Sequence, residues 1–217
     1  MSKSVDSIYC KVIKRALDII CSLLALIVFC WLYVIVALLI RVKLGAPVLY
    51  AAQRVGKNGR IFTLYKFRSM SNARDRNGDL LPDTQRLTRF GSVIRACSID
   101  ELPEAFNILR GDMSVIGPRP LPPSYLDYYT EKELHRHDVR PGLSGWAQVN
   151  GRNAISWDRK FAYDLEYIDH ISFARDVKIL FLTIKKVLAR EGIGQGEEHP
   201  GSLYDVREKR TERNQQN

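Results

Sequence analysis

The chain has 217 residues, enough for one domain with an attachment or for two small domains, and long enough to bury a sizeable core. Its 46% hydrophobic and 26% charged residues are an ordinary globular balance, and a net charge of +9 turns attention to anionic partners: nucleic acid, phosphorylated metabolites or an acidic membrane surface. Four cysteines (Cys10, Cys21, Cys30 and Cys97) with no C-x-x-C pair exclude a zinc pattern and a disulfide framework and imply a reducing compartment.

In chain order, the first strong element is a run of 22 uncharged residues, Ile19–Ile40, IICSLLALIVFCWLYVIVALLI. It is long enough to cross a bilayer as a helix and shows no polar face. A cleavable signal peptide would carry a shorter apolar stretch ending in small residues, whereas this run ends in RVKLGAP. Lys11, Lys14 and Arg15 precede it, and Arg41 and Lys43 follow. Basic residues favour the cytoplasmic side. With both ends basic, the segment is expected to enter the membrane and return, a true crossing being the competing reading. Asp18 sits at its mouth, where a pair with Arg15 would relieve a carboxylate at the membrane edge. Ser22, bonding back to a carbonyl, is the expected cause of the bend.

From Arg41 to Arg76 there are nine basic residues and one acid, Asp75. IFTLYKFRSM, Ile61–Met70, is β-branched and aromatic and predicts a strand leading into a helix or loop. Asn-Gly and Leu-Pro make Asp75–Asp83 a loop. Thr84–Cys97 predicts a short helix interrupted at Gly91. Another helix is expected within Pro123–Val139, and the glycine-rich Arg140–Asn153 reads as a structured loop. Ser156–His170 and Ser172–Arg190 predict two more helices, the second stopped by Gly192. That last helix carries an apolar side that suits either a core or a membrane surface. His135, His137 and Asp138 could mimic a metal site, but a solvated, partly basic helix face is the simpler reading. From Glu197 the chain is polar and is expected to be disordered.

The stretch Ser98–Pro120, SIDELPEAFNILRGDMSVIGPRP, carries the chemistry. Ser98 and Glu101 fit a capping box, Leu102, Ala105, Phe106 and Leu109 make an apolar face, and Gly111 follows the last turn. Asp100 and Glu101 would thus open a helix, where acids suit the dipole and cap free amides. The alternative is chemical. A carboxylate can attack phosphorus, but anion meeting anion needs a divalent metal and nearby cations. Lys66, Arg68, Arg95 and Arg119 supply such cations, and Arg119 is boxed between Pro118 and Pro120. A guanidinium fixed in this way suits bidentate recognition of a diphosphate or a base edge.

Four pieces together resemble the bacterial sugar transferases, the small monotopic phosphoglycosyl transferases: KRALD, LYKFRSM, LTRFGSVIRACSIDELPEAFNILRGDMSVIGPRP and RHDVRPGLSGWAQVNGRNAISW. The resemblance runs from Lys14 to about Gly192. It implies transfer of a sugar 1-phosphate from a UDP-sugar to polyprenyl phosphate, through a phosphosugar held covalently on Asp100, with release of UMP. It implies that Asp100 and Glu101 bind Mg²⁺, that Glu101 helps with the metal or the acceptor proton, and that Arg119 contacts the uridine side of the donor. Lys66 and Arg95 match positions near the phosphates, and Arg68 is a third cation. One departure stands out: the family's usual Ser-Pro break in the membrane run is replaced here by Cys30-Trp31.

The expected fold is therefore mainly α with a few short strands. Residues 1–44 form a re-entrant membrane helix, residues 45–196 a catalytic domain with interfacial helices, and residues 197–217 a polar tail. The expected place is the cytoplasmic face of a bacterial inner membrane, in contact with lipid, with no nucleic-acid partner and with a homodimer left open. The donor's sugar leans towards an N-acetylated 6-deoxy amino sugar. Two rival functions fit part of the pattern: a phosphohydrolase using the same carboxylate, and a membrane-tethered nucleic-acid binder.

Overall fold

The computed structural model describes residues 4–151, 155–189 and 201–208. The chain opens with a π-helical turn, Tyr9–Ile13, that runs straight into helix α1, Lys14–Val28. Helix α2, Cys30–Lys43, follows after one residue, Phe29, whose φ of −102° and ψ of 11° leave the helical region. The two helices bend by 63° at this break. Among the described residues no single helix is long and apolar enough to cross a membrane, although the bent pair together has the length and composition to do so.

The bend is not made by Ser22. That side chain is 2% exposed and its Oγ has no hydrogen-bond partner. Tertiary docking accounts for the bend instead, because the two arms are held at different places. In α1, Lys14 pairs with Asp176, while Arg15 donates to the carbonyls of Ile108 and Leu109, the latter at 2.8 Å. Asp18 accepts from Ser114 Oγ and Val115 N, both at 2.9 Å. The expected Asp18–Arg15 pair is therefore absent: each charge reaches outward to the body. In α2, Tyr33 Oη donates to the Leu102 carbonyl, and its ring lies 5.7 Å from Phe67 and 6.1 Å from Phe106. Val36 and Ile40 bury behind it against Phe67 and Ile94.

Strands β1, Leu49–Val55, and β2, Ile61–Phe67, form an antiparallel hairpin in which Leu49 faces Phe67 and Val55 faces Ile61. Helices α3, Asp83–Arg86, and α4, Arg89–Ala96, come next. The interruption falls at residues 87–88, not at Gly91. Thr88 caps α4 by accepting from Gly91 N at 3.1 Å. Gly91 lies inside the helix, where a Cβ would sit 1.7 Å from the Ser69 carbonyl oxygen. Glycine is required there by close approach rather than by a turn.

Helix α5, Glu104–Arg110, leads into β3, Ser114–Ile116. The segment expected to be one helix within 123–139 is divided into a 3₁₀ run Pro123–Tyr128, the single turn α6, Glu131–Leu134, and a 3₁₀ turn His135–His137. The expected loop 140–153 is also more ordered than its glycines suggest. It holds β4, Gly142–Ser144, which pairs in parallel with β3, and the short helix α7, Trp146–Val149. Helices α8, Trp157–Asp169, and α9, Phe173–Ala189, follow as predicted, and the stop expected at Gly192 lies outside the described residues. Helix dominates, and the described residues hold two two-stranded sheets.

Helix α9 has one face in the core and an apolar face left bare. Asp176 and Ile179 bury against the core, where Ile179 packs with Val149, Tyr167 and Ile168. The opposite face leaves Phe173, Leu180, Phe181, Ile184 and Leu188 exposed. The described part of the tail, residues 201–208, also departs from expectation. Residues 203–208 are helical, and Leu203 is fully buried against Trp157 and Phe161. Arg207 pairs with Glu133 and with Asp158, and Trp157 Nε1 donates to the Gly201 carbonyl at 3.1 Å. Tyr204 adds ring contacts with Tyr125 and Tyr128, at 6.2 and 6.3 Å, and Tyr128 Oη donates to Glu208 at 2.9 Å.

Candidate active site

Asp100 and Glu101 lie on a short 3₁₀ turn, Ile99–Glu101, between α4 and α5. Ser98 enters it in the left-handed conformation, φ 55° and ψ 22°, and its side chain caps nothing. The capping box is thus not formed. Helix α5 starts at Glu104 behind Pro103, whose φ of −63° suits the position. The acidic pair is thereby freed from helix capping.

Glu101 is clasped. Its Oε1 receives Lys66 Nζ at 2.8 Å and Arg119 Nη2 at 3.1 Å. Burial alone would raise this carboxyl, but Arg119 and Lys66 outweigh it and hold the group down at about 2. Asp100 is different. Half-buried, it accepts no hydrogen bond and makes no ion pair among the described residues. Burial raises its carboxyl and the neighbouring Glu101 adds to this, while Lys66, Arg95 and Arg119 oppose both.

Lys66 is delivered by β2 and also meets Glu104 Oε1 at 3.0 Å. Glu104 is 3% exposed, and burial, partly offset by Lys66, pushes its carboxyl up to about 7. Asn107, fully buried one turn on, accepts from Tyr65 N at 3.1 Å and donates to Thr63 O at 2.7 Å. It fastens α5 to β2 and so fixes Lys66 against both glutamates. Glu104 and Asn107 were not among the residues expected in the site. Their signal was present: Glu101, Glu104 and Asn107 recur every three residues, a polar stripe beside the apolar one.

The expected cations divide. Lys66 and Arg119 touch Glu101 directly. Arg95, exposed at the end of α4, donates to Ser69 Oγ at 2.8 Å and acts on Asp100 through its charge. Arg68 does not join them. Buried at 5% exposure, it donates to the carbonyls of Leu44, Gly45 and Ala46 and so secures the exit of α2. The solvated face expected for the His135–His137 turn is also only partly right. His135 is exposed and pairs with Asp138 at 3.1 Å, whereas Arg136 and His137 are buried. Burial lowers His137 to about 4, with Arg136 acting in the same direction, so it stays neutral.

No group of three or more His, Cys, Asp or Glu side chains among the described residues could hold a metal ion by itself. Magnesium does not require one, since it commonly takes one or two carboxylates and completes its shell with phosphate oxygens and water. Asp100, together with the unbonded Oε2 of Glu101, offers such a pair of oxygen donors, so the residues fit.

A family model described as "Bacterial sugar transferase" matches residues 9–190. The chain belongs to the bacterial sugar transferase family. It is 50% identical over 184 residues to the uncharacterized sugar transferase EpsL of Bacillus subtilis, covering 85% of this chain and 91% of that protein. It is 42% identical over 188 residues to an Aeromonas hydrophila UDP-N-acetylgalactosamine-undecaprenyl-phosphate N-acetylgalactosaminephosphotransferase, covering 83% of this chain but 44% of that protein. Against the undecaprenyl-phosphate glucose phosphotransferase of Komagataeibacter xylinus it is 42% identical over 187 residues, covering 80% of this chain and 35% of that protein. The chain thus spans most of EpsL but less than half of the two longer transferases. Relatives of equal identity carry different sugars in their names, so overall similarity within the sugar transferase family does not select the donor.

Proposed function

We propose that this bacterial sugar transferase moves a sugar 1-phosphate from a UDP-sugar to a polyprenyl phosphate. The observation that carries the reading is the contrast at the acidic pair: Glu101 takes Lys66 and Arg119 on its Oε1, whereas Asp100 is an uncommitted carboxylate among the same cations. In the first step an Asp100 oxygen attacks the phosphorus bonded to the sugar. The bond from that phosphorus to the oxygen bridging the diphosphate breaks, and UMP leaves with the electron pair. In the second step an oxygen of the acceptor phosphate attacks the same phosphorus, the bond to Asp100 breaks, and the carboxylate is restored. Lys66, Arg95 and Arg119 offset the charge gathered at the phosphates. Mg²⁺ held by Asp100 and Glu101 would supply further charge neutralisation for two anions that otherwise repel.

Membrane attachment belongs to the same reading. The bent α1–α2 pair exposes Leu24, Ile27, Val28, Trp31, Val34 and Leu38, and α9 adds its own bare apolar face. Such surfaces suit lipid better than water. We place the pair as a re-entrant segment, with the N-terminus and the Asp100 site on the cytoplasmic side, a sidedness supported by the basic residues at both of its ends.

The deciding experiment offers the purified protein a panel of UDP-sugars with polyprenyl phosphate and Mg²⁺ and scores UMP release. Acceptor-dependent release with one or a few sugars is expected. Release of free sugar phosphate without acceptor would make the protein a hydrolase, and no turnover of any UDP-sugar would overturn the reading.

A further inference from the structure

Pro118 and Pro120 have no amide hydrogen, so the turn that presents Arg119 must be held largely through its carbonyls. Pro118 O accepts from Gly142 N at 2.9 Å. Arg119 O accepts from Arg136 Nη2 at 2.8 Å. Arg136 is 3% exposed and spends its other donors nearby. It donates to Asp164 Oδ2 from Nε at 3.2 Å and from Nη2 at 2.8 Å, and to Tyr129 Oη from Nη1 at 3.2 Å. The Tyr129 and Phe161 rings flank it, 5.7 and 5.6 Å from the guanidinium carbon.

A buried ion pair is a poor source of stability, because desolvating two charges can cost as much as their attraction returns. What this pair supplies is placement. Asp164 fixes the guanidinium in its plane, and that plane aims one N–H at the carbonyl of Arg119. A lysine could keep the charge but could not make the same set of bonds.

We propose that the Arg136–Asp164 pair is a positioning device for Arg119, holding at one place the arginine that binds the donor. The proposal rests on the donor-binding role given to Arg119 above. Neither Arg136 nor Asp164 contacts the reacting atoms, so both act through the backbone of Arg119.

The test uses the full chain in lipid nanodiscs and measures UMP release against UDP-sugar concentration for Asp164→Asn and Arg136→Lys, alone and combined with Arg119→Ala. Each single variant should lower kcat/KM for the donor about tenfold, mostly through KM. In the Arg119→Ala background the same substitutions should add less than about twofold, because their effect passes through Arg119. Should either variant fail to fold, Tyr129→Phe removes one hydroxyl from the same guanidinium and should show the same coupling at about two- to threefold. Unchanged donor kcat/KM in folded variants would overturn the proposal, as would an equal loss with and without Arg119. A wild-type protein that released no UMP from any UDP-sugar would overturn the transferase reading and this proposal with it, whereas the two preceding failures are seen only in an active enzyme.

Discussion

Glu101 and Arg119 meet at 3.1 Å, joining the turn before α5 to the turn after β3. Their contact organises the site's charge without using Asp100. Glu101→Gln should therefore leave the fold intact but loosen both Lys66 and Arg119. A fall in turnover of roughly 10²-fold is expected. Assay of the purified variant at saturating donor checks this, and near-normal turnover would remove Glu101 from the machinery.

Asp100→Asn should abolish turnover and the covalent phosphosugar, which intact-protein mass spectrometry can detect. The same substitution should not destabilise the protein. Folding disfavours the charged form of Asp100, so a neutral amide is expected to raise the midpoint of thermal unfolding by about 1–3 °C. A large drop in that midpoint would mean that Asp100 is structural.

Arg119→Ala should mainly raise the donor KM, and Arg119→Lys should recover only part of the loss, because an ammonium lacks the planar fork. A donor KM unchanged in Arg119→Ala would count against the assignment. In the same assays, excess EDTA should stop turnover, whereas full activity with the metal removed would count against Mg²⁺.

Glu104 gives a pH prediction with a definite sign. It holds its proton up to about 7 in the folded chain, against the ordinary 4.5 of a glutamate carboxyl. Between those values the folded state binds the extra proton, so stability falls as pH rises through that window. Glu101 behaves oppositely: its contribution is complete above 4.5 and is lost as pH falls towards about 2. Denaturant titrations of Glu104→Gln should flatten the slope between about pH 5 and 7 and keep the acid limb. A slope the same as in the parent protein would refute the role of Glu104.

The re-entrant placement predicts that cysteines at residues 6 and 205, introduced after the native cysteines are replaced, are labelled from the same side of the membrane. Labelling of residue 6 from outside intact cells, with residue 205 protected, would establish a crossing.

Long periodic segments were the legible part of the sequence. Helices α8 and α9 and strand β2 follow their patterns, and the Asp-Glu pair with Lys66 and Arg119 converges as the motifs suggest. The misses share a cause: they were decided by distant partners. Arg68 looked like another phosphate cation beside Lys66, but the carbonyls at the end of α2 claim it. Ser98 and Glu101 had the spacing of a capping box until Lys66 and Arg119 took the glutamate. Arg136 sat in a run that read as solvated, and only the fold brings Asp164 to it. Glycine composition misled at Gly91, Gly142 and Gly145, where glycine permits contact with neighbouring backbone or, at Gly91, a packed helix.

The three charges at the root of α1 end on three separate elements: Lys14 on α9, Arg15 on α5 and Asp18 on β3. A joint pinned at three points cannot swivel. With the bent pair seated in lipid as proposed, the arm is a depth gauge and not a leash. The Asp100 carboxylate would keep one height above the acyl chains, and an acceptor phosphate would have to present itself at that level. Inserting residues between α2 and β1 would not be a neutral change, since both helices of the arm are bonded directly to the body.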